Sequence, residues 1–191
     1  MYDRTVVING FSKSHSMTGY RVGYSASPID IAKAIGKLQS QLTSCASSIG
    51  QEAARVALTT VDDKWMNERV RELQMKRDLA YRLLNDIPHV TCPKPNGAFY
   101  LLPDISYYYN KKTNDGTNYS LPYLLTHSLL PGTLVKDSHT LCLELLRNAQ
   151  VALVSGDAFG AEECLRISYA ASEELITTSI QRLKAFLLSL K

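Results

Sequence analysis

The sequence predicts a mixed α/β protein, in which short apolar strands alternate with amphipathic helices. Runs rich in β-branched residues end at turn signals, as residues 5–8 do at Asn9-Gly10. Between such runs lie long stretches whose apolar residues recur at helical spacing. The length fits this class, because 191 residues can bury a sizeable core in one or two domains.

The first part of the chain predicts two strands around a polar loop, and then helices. The apolar run before Asn9-Gly10 is typical of a buried strand. Pro28 suits the first turn of a helix, and small residues at 44–48 interrupt the helical spacing that follows. The predicted order is strand, loop, strand and two helical pieces, at residues 5–8, 11–19, 21–26 and 29–61.

The second part predicts a compact arrangement of helices and short strands. Acidic residues open the helix at residue 62, and Ser172 places a capping hydroxyl ahead of Glu173-Glu174. The predicted helices are residues 62–85, 141–148 and 172–190, the strands are 98–103, 151–154 and 165–169, and 106–115 is a surface loop.

Composition and charge exclude several classes of function. The chain is 45% hydrophobic and 20% charged with a net charge of +3, which is typical of an ordinary globular protein. Its lysines and arginines are spread along the chain, so we expect no nucleic-acid partner. No apolar run reaches the roughly 18 residues that a membrane span needs, so we expect no membrane partner.

The cysteines argue against both a metal centre and a disulfide framework. Cys45, Cys92, Cys142 and Cys164 are widely spaced and include no CxxC pair. We therefore expect no metal site and a reducing compartment, either the cytoplasm or an organellar matrix. No basic-then-apolar signal peptide opens the sequence, so we do not expect secretion.

Residues 9–24 combine the side chains that an aldehyde-phosphate cofactor requires. Lys13 lies in a loop just past a predicted strand, where open α/β sheets bind ligands. A lone lysine there is usually only solvated, but the neighbouring hydroxyls and Gly19 offer donors to an anion. Arg21 adds a guanidinium fork that matches a phosphate. A lysine for a covalent bond and an arginine for a phosphate together indicate such a cofactor. The P-loop order GxxxxGK[ST] is absent.

This segment resembles the cofactor-lysine signature of the class I and II aminotransferases, of the form SK-x3-MTG-[WY]-R-x-GY. Residues 37–48 resemble the bacterial- and plant-type aspartate aminotransferases, including the bifunctional aspartate/prephenate enzymes. Residues 96–104, 154–160 and 165–170 resemble the family's GAFY, PG-x-AFG and R-I-S-[YF]-A motifs in the right order. The resemblance covers nearly the whole chain except residues 106–140, which look like an expanded loop.

The resemblance implies roles for four residues in an enzyme that depends on pyridoxal 5'-phosphate. Lys13 matches the catalytic lysine that bonds covalently to the cofactor and carries the proton during transfer. Arg21 matches the phosphate-binding arginine, and Arg166 matches the arginine that binds the substrate α-carboxylate. Ser12 is a weaker candidate for the phosphate, because the hydroxyl of some relatives, three residues before the lysine, is Gly10 here. Phe159 and Gly160 are expected in a loop that closes over the substrate.

The resemblance also implies that parts of the family's site are missing. Relatives carry an acidic partner for the pyridine nitrogen, a ring-stacking aromatic and a glycine-rich phosphate turn before the lysine. Asp3 is the only acidic residue among the first nine and has no matching context. We therefore expect the C-terminal part of a fold type I transferase with only the last strands of the large-domain sheet, inactive by itself. Residues 1–61 would be the remnant of the cofactor-binding domain plus the interdomain helix, and 62–191 the small domain.

Three functions remain open. The first is transfer of an amino group from an aspartate- or glutamate-like amino acid to a 2-oxo acid, within a full-length homodimer. The second is a related lyase, such as an aminocyclopropane-carboxylate synthase, which keeps the same lysine and arginines. The third is a non-catalytic small-domain or dimerisation fragment. Product analysis separates the first two, and the third predicts no absorbance from a bound cofactor.

Overall fold

The computed structural model describes residues 1–113 and 132–191, which form two compact units, Met1–Arg69 and Val70–Lys191. Each unit has its own hydrophobic core. Helices and antiparallel strands alternate along the chain, so the predicted α/β class is confirmed. The units divide inside a long helix rather than at residue 62, and the assignment of domains to residues 1–61 and 62–191 stays a prediction.

The first unit consists of an antiparallel pair of strands followed by helices. The strand pair sets Val7 opposite Ala26 and Gly10 opposite Gly23. The predicted break at residues 44–48 is confirmed, and the Ser47 hydroxyl caps the next helix by accepting from the Gly50 amide at 3.4 Å. In chain order the elements are β1 (Val7–Gly10), α1 (Phe11–Ser14), a 3-10 turn (Thr18–Tyr20), β2 (Gly23–Ala26), α2 (Ile29–Leu42) and α3 (Ser48–Thr60).

The prediction of a buried strand at residues 5–8 is wrong. β1 begins at Val7, and Val7 and Ile8 are 49% and 81% exposed. Within the described residues β1 pairs with β2 alone, and the side chains of both strands remain largely exposed. An apolar run shows that a strand forms, but burial depends on what packs against its two faces.

The second unit places a short antiparallel sheet against long helices. The Asp62 carboxylate accepts from the Trp65 amide at 2.8 Å, which explains the helix start predicted there. The elements are α4 (Asp63–Asn85, with its first turns in the first unit), β3 (Tyr100–Leu101), a 3-10 turn (Ser106–Tyr108), α5 (Ser138–Glu144), a π-helical turn (Leu145–Ala149), β4 (Val154–Ser155), a 3-10 turn (Gly156–Phe159), β5 (Leu165–Ser168) and α6 (Glu173–Ser189).

β5 is the central strand of this sheet, whose order is β3-β5-β4. Both pairings are antiparallel, with Tyr100 opposite Ser168 and Val154 opposite Arg166. Leu165 and Ile167 are buried in the core of the unit. Because side chains alternate along a strand, Arg166 and Ser168 project from the opposite face.

The core of the second unit explains why its helices form where the pattern predicted them. α6 carries buried residues at helical spacing, which form a continuous apolar stripe. Side chains from α4, β3 and β5 meet that stripe. The most deeply buried members include Leu84, Ile87, Leu101, Leu165, Leu183 and Leu187.

Two predicted features of the second unit differ from the structure. In the loop predicted at the surface over residues 106–115, the described residues 106–113 are only partly exposed, since Tyr108 is 3% exposed and its hydroxyl donates to the Pro88 carbonyl at 2.6 Å. The strand predicted at 151–154 is β4, which begins at Val154. Of the predicted loop expansion, residues 114–131 lie outside the described residues.

The N-terminal cap of α6 makes a measurable contribution to stability. The Ser172 hydroxyl accepts from the Leu175 amide at 3.2 Å. Ser172→Ala is expected to lower the free energy of unfolding by about 1 kcal/mol, because one helix-terminal amide loses its acceptor. Urea denaturation measures the change, and Gln181→Ala on the exposed side of the same helix serves as the control. An equal effect of both substitutions would contradict the capping role.

Three further features of the described residues concern their thiols, the character of their helices and their possible metal ligands. All four cysteines are free thiols, and burial raises the pKa of Cys92 and of Cys142 to about 11. Across residues 1–113 and 132–191, no helix combines the length and apolar character of a membrane span. The same residues contain no cluster of three or more histidine, cysteine, aspartate or glutamate side chains suited to a metal ion.

Candidate functional site

Lys13 lies in α1, the single helical turn that follows β1 directly. Main-chain hydrogen bonds close this turn. The Phe11 carbonyl accepts from the amides of His15 at 3.2 Å and Met17 at 3.3 Å, and the Lys13 carbonyl accepts from Ser16 at 3.2 Å. The Lys13 side chain is exposed. The backbone of the lysine is therefore fixed locally while its side chain lies at the surface.

A small hydrophobic core packs this turn against α3. Gly50 of α3 allows Val22 to pack closely against the helix, because a Cβ at Gly50 would lie 2.7 Å from the Cγ2 of Val22. The Phe11 amide donates to the Val22 carbonyl at 3.2 Å, which ties the start of the turn to the start of β2. The core residues are Phe11, Met17, Val22 and Ala54.

Arg21 follows the 3-10 turn and adopts a left-handed backbone, with φ 54° and ψ 44°. This conformation is unfavourable by about 1 kcal/mol or more for a residue other than glycine. Its guanidinium donates from Nη1 to the Thr18 carbonyl at 3.2 Å, and the side chain is exposed. Six other described non-glycine residues also have a positive φ, so what distinguishes Arg21 is a guanidinium placed on the same segment as Lys13.

The remaining hydroxyls of the loop differ in how they are engaged. The Ser14 hydroxyl is 2.8 Å from His15 Nδ1 and 3.5 Å from the Gly10 carbonyl, so local contacts occupy it. Ser12 is half-buried in the first position after Phe11. The structure therefore gathers Ser12, Lys13 and Arg21 between β1 and β2 in the first unit.

Arg166 belongs to the second unit, at the second position of β5. It is half-buried, and its guanidinium carbon lies 4.5 Å from the ring centroid of Tyr100 and 4.3 Å from that of Phe159. Within the described residues it takes part in no hydrogen bond or ion pair. Its donors therefore have no protein partner among those residues.

A pocket of about 350 Å³ lies beside Arg166 and gives a ligand room to approach. Its lining includes Tyr100, Leu153 and Leu175 together with the arginine. An apolar pocket with a single convergent charge is the usual form of a small-molecule site. The second unit by itself thus presents an anion-binding group at the edge of an apolar recess.

The turn that carries Phe159 is fixed at both ends. The Ser155 hydroxyl accepts from the Asp157 amide at 3.3 Å and lies 2.6 Å from the Ser138 hydroxyl. Gly160 ends the turn with φ 69°. An ordered turn that ends at Gly160 therefore holds Phe159 beside Arg166, and the predicted closure of Phe159 and Gly160 over a substrate stays a prediction.

Sequence reasoning did not identify Tyr100 as a neighbour of Arg166. The tyrosine lies in the GAFY-like segment, but its contact with the arginine depends on β3 pairing with β5. The order of strands in a sheet is a tertiary property, which the local pattern does not contain.

Comparison with known proteins matches these features to a family. A family model described as aminotransferase class I and II matches residues 1–183. The chain is 40% identical over 193 residues to an aspartate aminotransferase of Pinus pinaster, covering 100% of this chain and 36% of the relative. It is 38% identical over 186 residues to an aspartate/prephenate aminotransferase of Cereibacter sphaeroides, covering 97% of this chain and 42% of the relative.

Comparison with solved structures finds the same family. The crystal structure of the aspartate aminotransferase from Rhizobium meliloti superposes with a TM-score of 0.85 at 36% identity, covering 100% of this chain and 43% of that one. The chain thus spans less than half the length of the curated relatives that it matches. Because the family model matches residues 1–183, this chain belongs to the class I and II aminotransferases.

Proposed function

We propose that this chain supplies the cofactor-lysine segment and the small domain of an aminotransferase that uses pyridoxal 5'-phosphate. The reaction would move an amino group from an aspartate- or glutamate-like amino acid to a 2-oxo acid. The names of the similar proteins support transfer rather than the elimination of a related lyase. In a full-length protein we propose a homodimer.

The observation that carries this proposal is the placement of Lys13 and Arg21 on one short segment between β1 and β2, whose main chain is fixed by local hydrogen bonds. A glycine in place of Arg21 would relieve the left-handed conformation, yet the chain places a guanidinium there, on the same loop as Lys13. An amine and a guanidinium held on one fixed loop match the aldehyde and the phosphate of the cofactor.

The residues present fit two of the four polar groups of the cofactor, which are its aldehyde, its phosphate, its pyridine nitrogen and its ring hydroxyl. Lys13 suits the aldehyde, and Arg21 with Ser12 suits the phosphate. Residues 7–26 contain no acidic residue, so the partner of the pyridine nitrogen has to come from outside this loop. When bound, pyridoxal phosphate supplies an electron sink for the substrate α-carbon.

Each of these side chains then has a distinct task. Lys13 would bond to the cofactor through its Nζ and, when released, carry the proton to and from the substrate α-carbon. Arg21 would hold the phosphate, and Ser12 would add a weaker hydroxyl contact. Arg166 would bind the α-carboxylate through paired N–H donors and so orient the substrate.

A second candidate function is a non-catalytic fragment that serves as a small domain or in dimerisation. The structure offers one specific observation in its favour. The core of the first unit consists of four residues, whereas β1 and α2 expose large apolar side chains such as Ile8, Ile29 and Leu42. A loop supported by so small a core holds a cofactor less firmly than one inside a large domain.

Absorbance spectra of the purified chain with pyridoxal phosphate separate the two candidates. If the chain forms the proposed site, a band that changes with pH appears at near-stoichiometric cofactor. Lys13→Ala is expected to abolish it, whereas Lys37→Ala, an exposed lysine on α2, should leave it unchanged. Identical spectra from both variants, or no band at all, would support the non-catalytic candidate for this chain.

A further inference from the structure

Two aromatic side chains, contributed from the two flanks of β5, lie close to the guanidinium of Arg166. Tyr100 comes from β3 and Phe159 from the turn that follows β4, and these strands pair with β5 on opposite sides. The ring centroids are 4.5 and 4.3 Å from the guanidinium carbon. Both distances are well inside the range of cation–π attraction.

The tyrosine contact follows from the register of the sheet. Tyr100 is paired with Ser168, so Arg166 is its diagonal neighbour two residues away on the same face. A long side chain and an aromatic ring reach each other readily across such a diagonal. The Tyr100 ring is therefore placed by the β3–β5 pairing itself.

The phenylalanine contact depends on a turn with little freedom. The Gly156 amide donates to the Cys164 carbonyl at 2.9 Å, and the Ser138–Ser155 hydroxyl pair fastens the start of the turn to α5. Phe159 nevertheless remains 48% exposed. The turn therefore holds the ring against the guanidinium while about half of the side chain stays open to solvent.

Aromatic rings hold an arginine without using its donors. An acidic neighbour would also fix the guanidinium, but it would compete with an incoming carboxylate for the same N–H groups. Rings attract the flat faces of the group and leave its N–H edges open for a bidentate contact. Within the described residues no acidic side chain pairs with Arg166, so aromatic rings rather than an acid hold its guanidinium.

We propose that Tyr100 and Phe159 are positioning residues that clamp the Arg166 guanidinium with its N–H edge free to receive a substrate carboxylate. The inference rests on the proposed role of Arg166 in the aminotransferase reaction. It adds that the aromatic character of the two flanking side chains, rather than their volume alone, sets how tightly the carboxylate binds.

The test uses the nitrogen-15-labelled full chain, with succinate as the probe and uncharged succinamide as its matched control. The Nε–H resonance of Arg166 reports both binding and side-chain order. Phe159→Leu and Tyr100→Leu should each weaken succinate binding about threefold, and the double variant about tenfold, since each removes one cation–π contact. Phe159→Trp and Tyr100→Phe should keep wild-type binding. Tyr107→Leu is the control and should not change binding, because the Tyr107 ring stacks on His89.

The order parameter of the Arg166 Nε–H group, measured without ligand, is the second readout. It is expected to fall in both leucine variants and to recover in the aromatic replacements. Cyclohexylalanine in place of Phe159 keeps the volume of the ring but has no π electrons, so it should lower the order parameter as leucine does. Unchanged order and affinity in the leucine variants, with binding lost in Arg166→Gln, would overturn the clamp and leave the proposed function standing. Wild-type succinate binding by Arg166→Gln would instead overturn the carboxylate role, and the order parameter alone would then decide whether the rings hold the side chain.

Discussion

Replacing Gly156 by alanine is expected to lower the free energy of unfolding of the second unit by about 3 kcal/mol. A Cβ at this position would lie 2.2 Å from the Ala161 carbonyl oxygen and 2.4 Å from that of Cys164. Both are main-chain atoms, so no side-chain rotation relieves the overlap and the backbone has to move. The 2.9 Å hydrogen bond from Gly156 to Cys164 would be weakened at the same time.

Two other glycines provide controls of graded severity. Gly160 has φ 69° but open space around its Cβ direction, so Gly160→Ala should cost about 1 kcal/mol from backbone strain alone. Gly97 has neither constraint, and Gly97→Ala should be close to neutral. Urea denaturation of the three variants measures the series. Equal stability of the Gly156 and Gly97 variants would contradict the packing around Gly156.

Removing the Arg21 guanidinium is expected to weaken pyridoxal phosphate binding by about 10- to 100-fold, the size of one charge-assisted contact to phosphate. The loss should be specific for the phosphate. Arg21→Ala and Arg21→Gly should bind pyridoxal, which lacks that group, as the wild type does. Competition binding with the two compounds measures the difference.

The two substitutions at Arg21 also separate function from stability. Glycine adopts the left-handed backbone freely, so Arg21→Gly should be more stable than Arg21→Ala by about 1 kcal/mol while binding the phosphate equally poorly. Arg4→Ala, an exposed arginine outside the loop, is the control and should change neither property. A preference for pyridoxal phosphate over pyridoxal that survives in both Arg21 variants would refute the phosphate role.

Helices were the part of the fold that the pattern predicted best. Their starts depend on local chemistry, as the contacts of Asp62 and Ser172 with the first-turn amides show. Their extent follows from an apolar stripe that is visible in the sequence. Strands were predicted less well, because the two-residue β3 and β4 are defined by pairing with β5 rather than by their own composition.

Burial was the quantity that the sequence predicted least. The run around Val7 and Ile8 is apolar but exposed, whereas Tyr108 in a polar stretch is buried with its hydroxyl bonded to the Pro88 carbonyl. Both outcomes depend on neighbours that are distant in sequence. A hydrophobic pattern records the preference of a residue, and tertiary packing decides whether it is met.

The sequence likewise predicted only some features of the candidate site. The motif around Lys13 and the position of Arg166 can be recognised from residue types and spacing. The left-handed backbone of Arg21 and the rings of Tyr100 and Phe159 beside Arg166 cannot, because they arise from a turn geometry and from strand order. The aromatic clamp depends on the strand order, whereas the phosphate-binding proposal depends on residues that the motif already contains.

Borohydride reduction of the chain in near-stoichiometric pyridoxal phosphate, followed by peptide mass mapping, tests most directly whether Lys13 holds the cofactor. We expect the reduced cofactor to be fixed on Lys13, and we expect pyridoxal without the phosphate to label this residue far less. Modification spread over exposed lysines such as Lys33 and Lys37, with no preference for Lys13, would contradict this expectation.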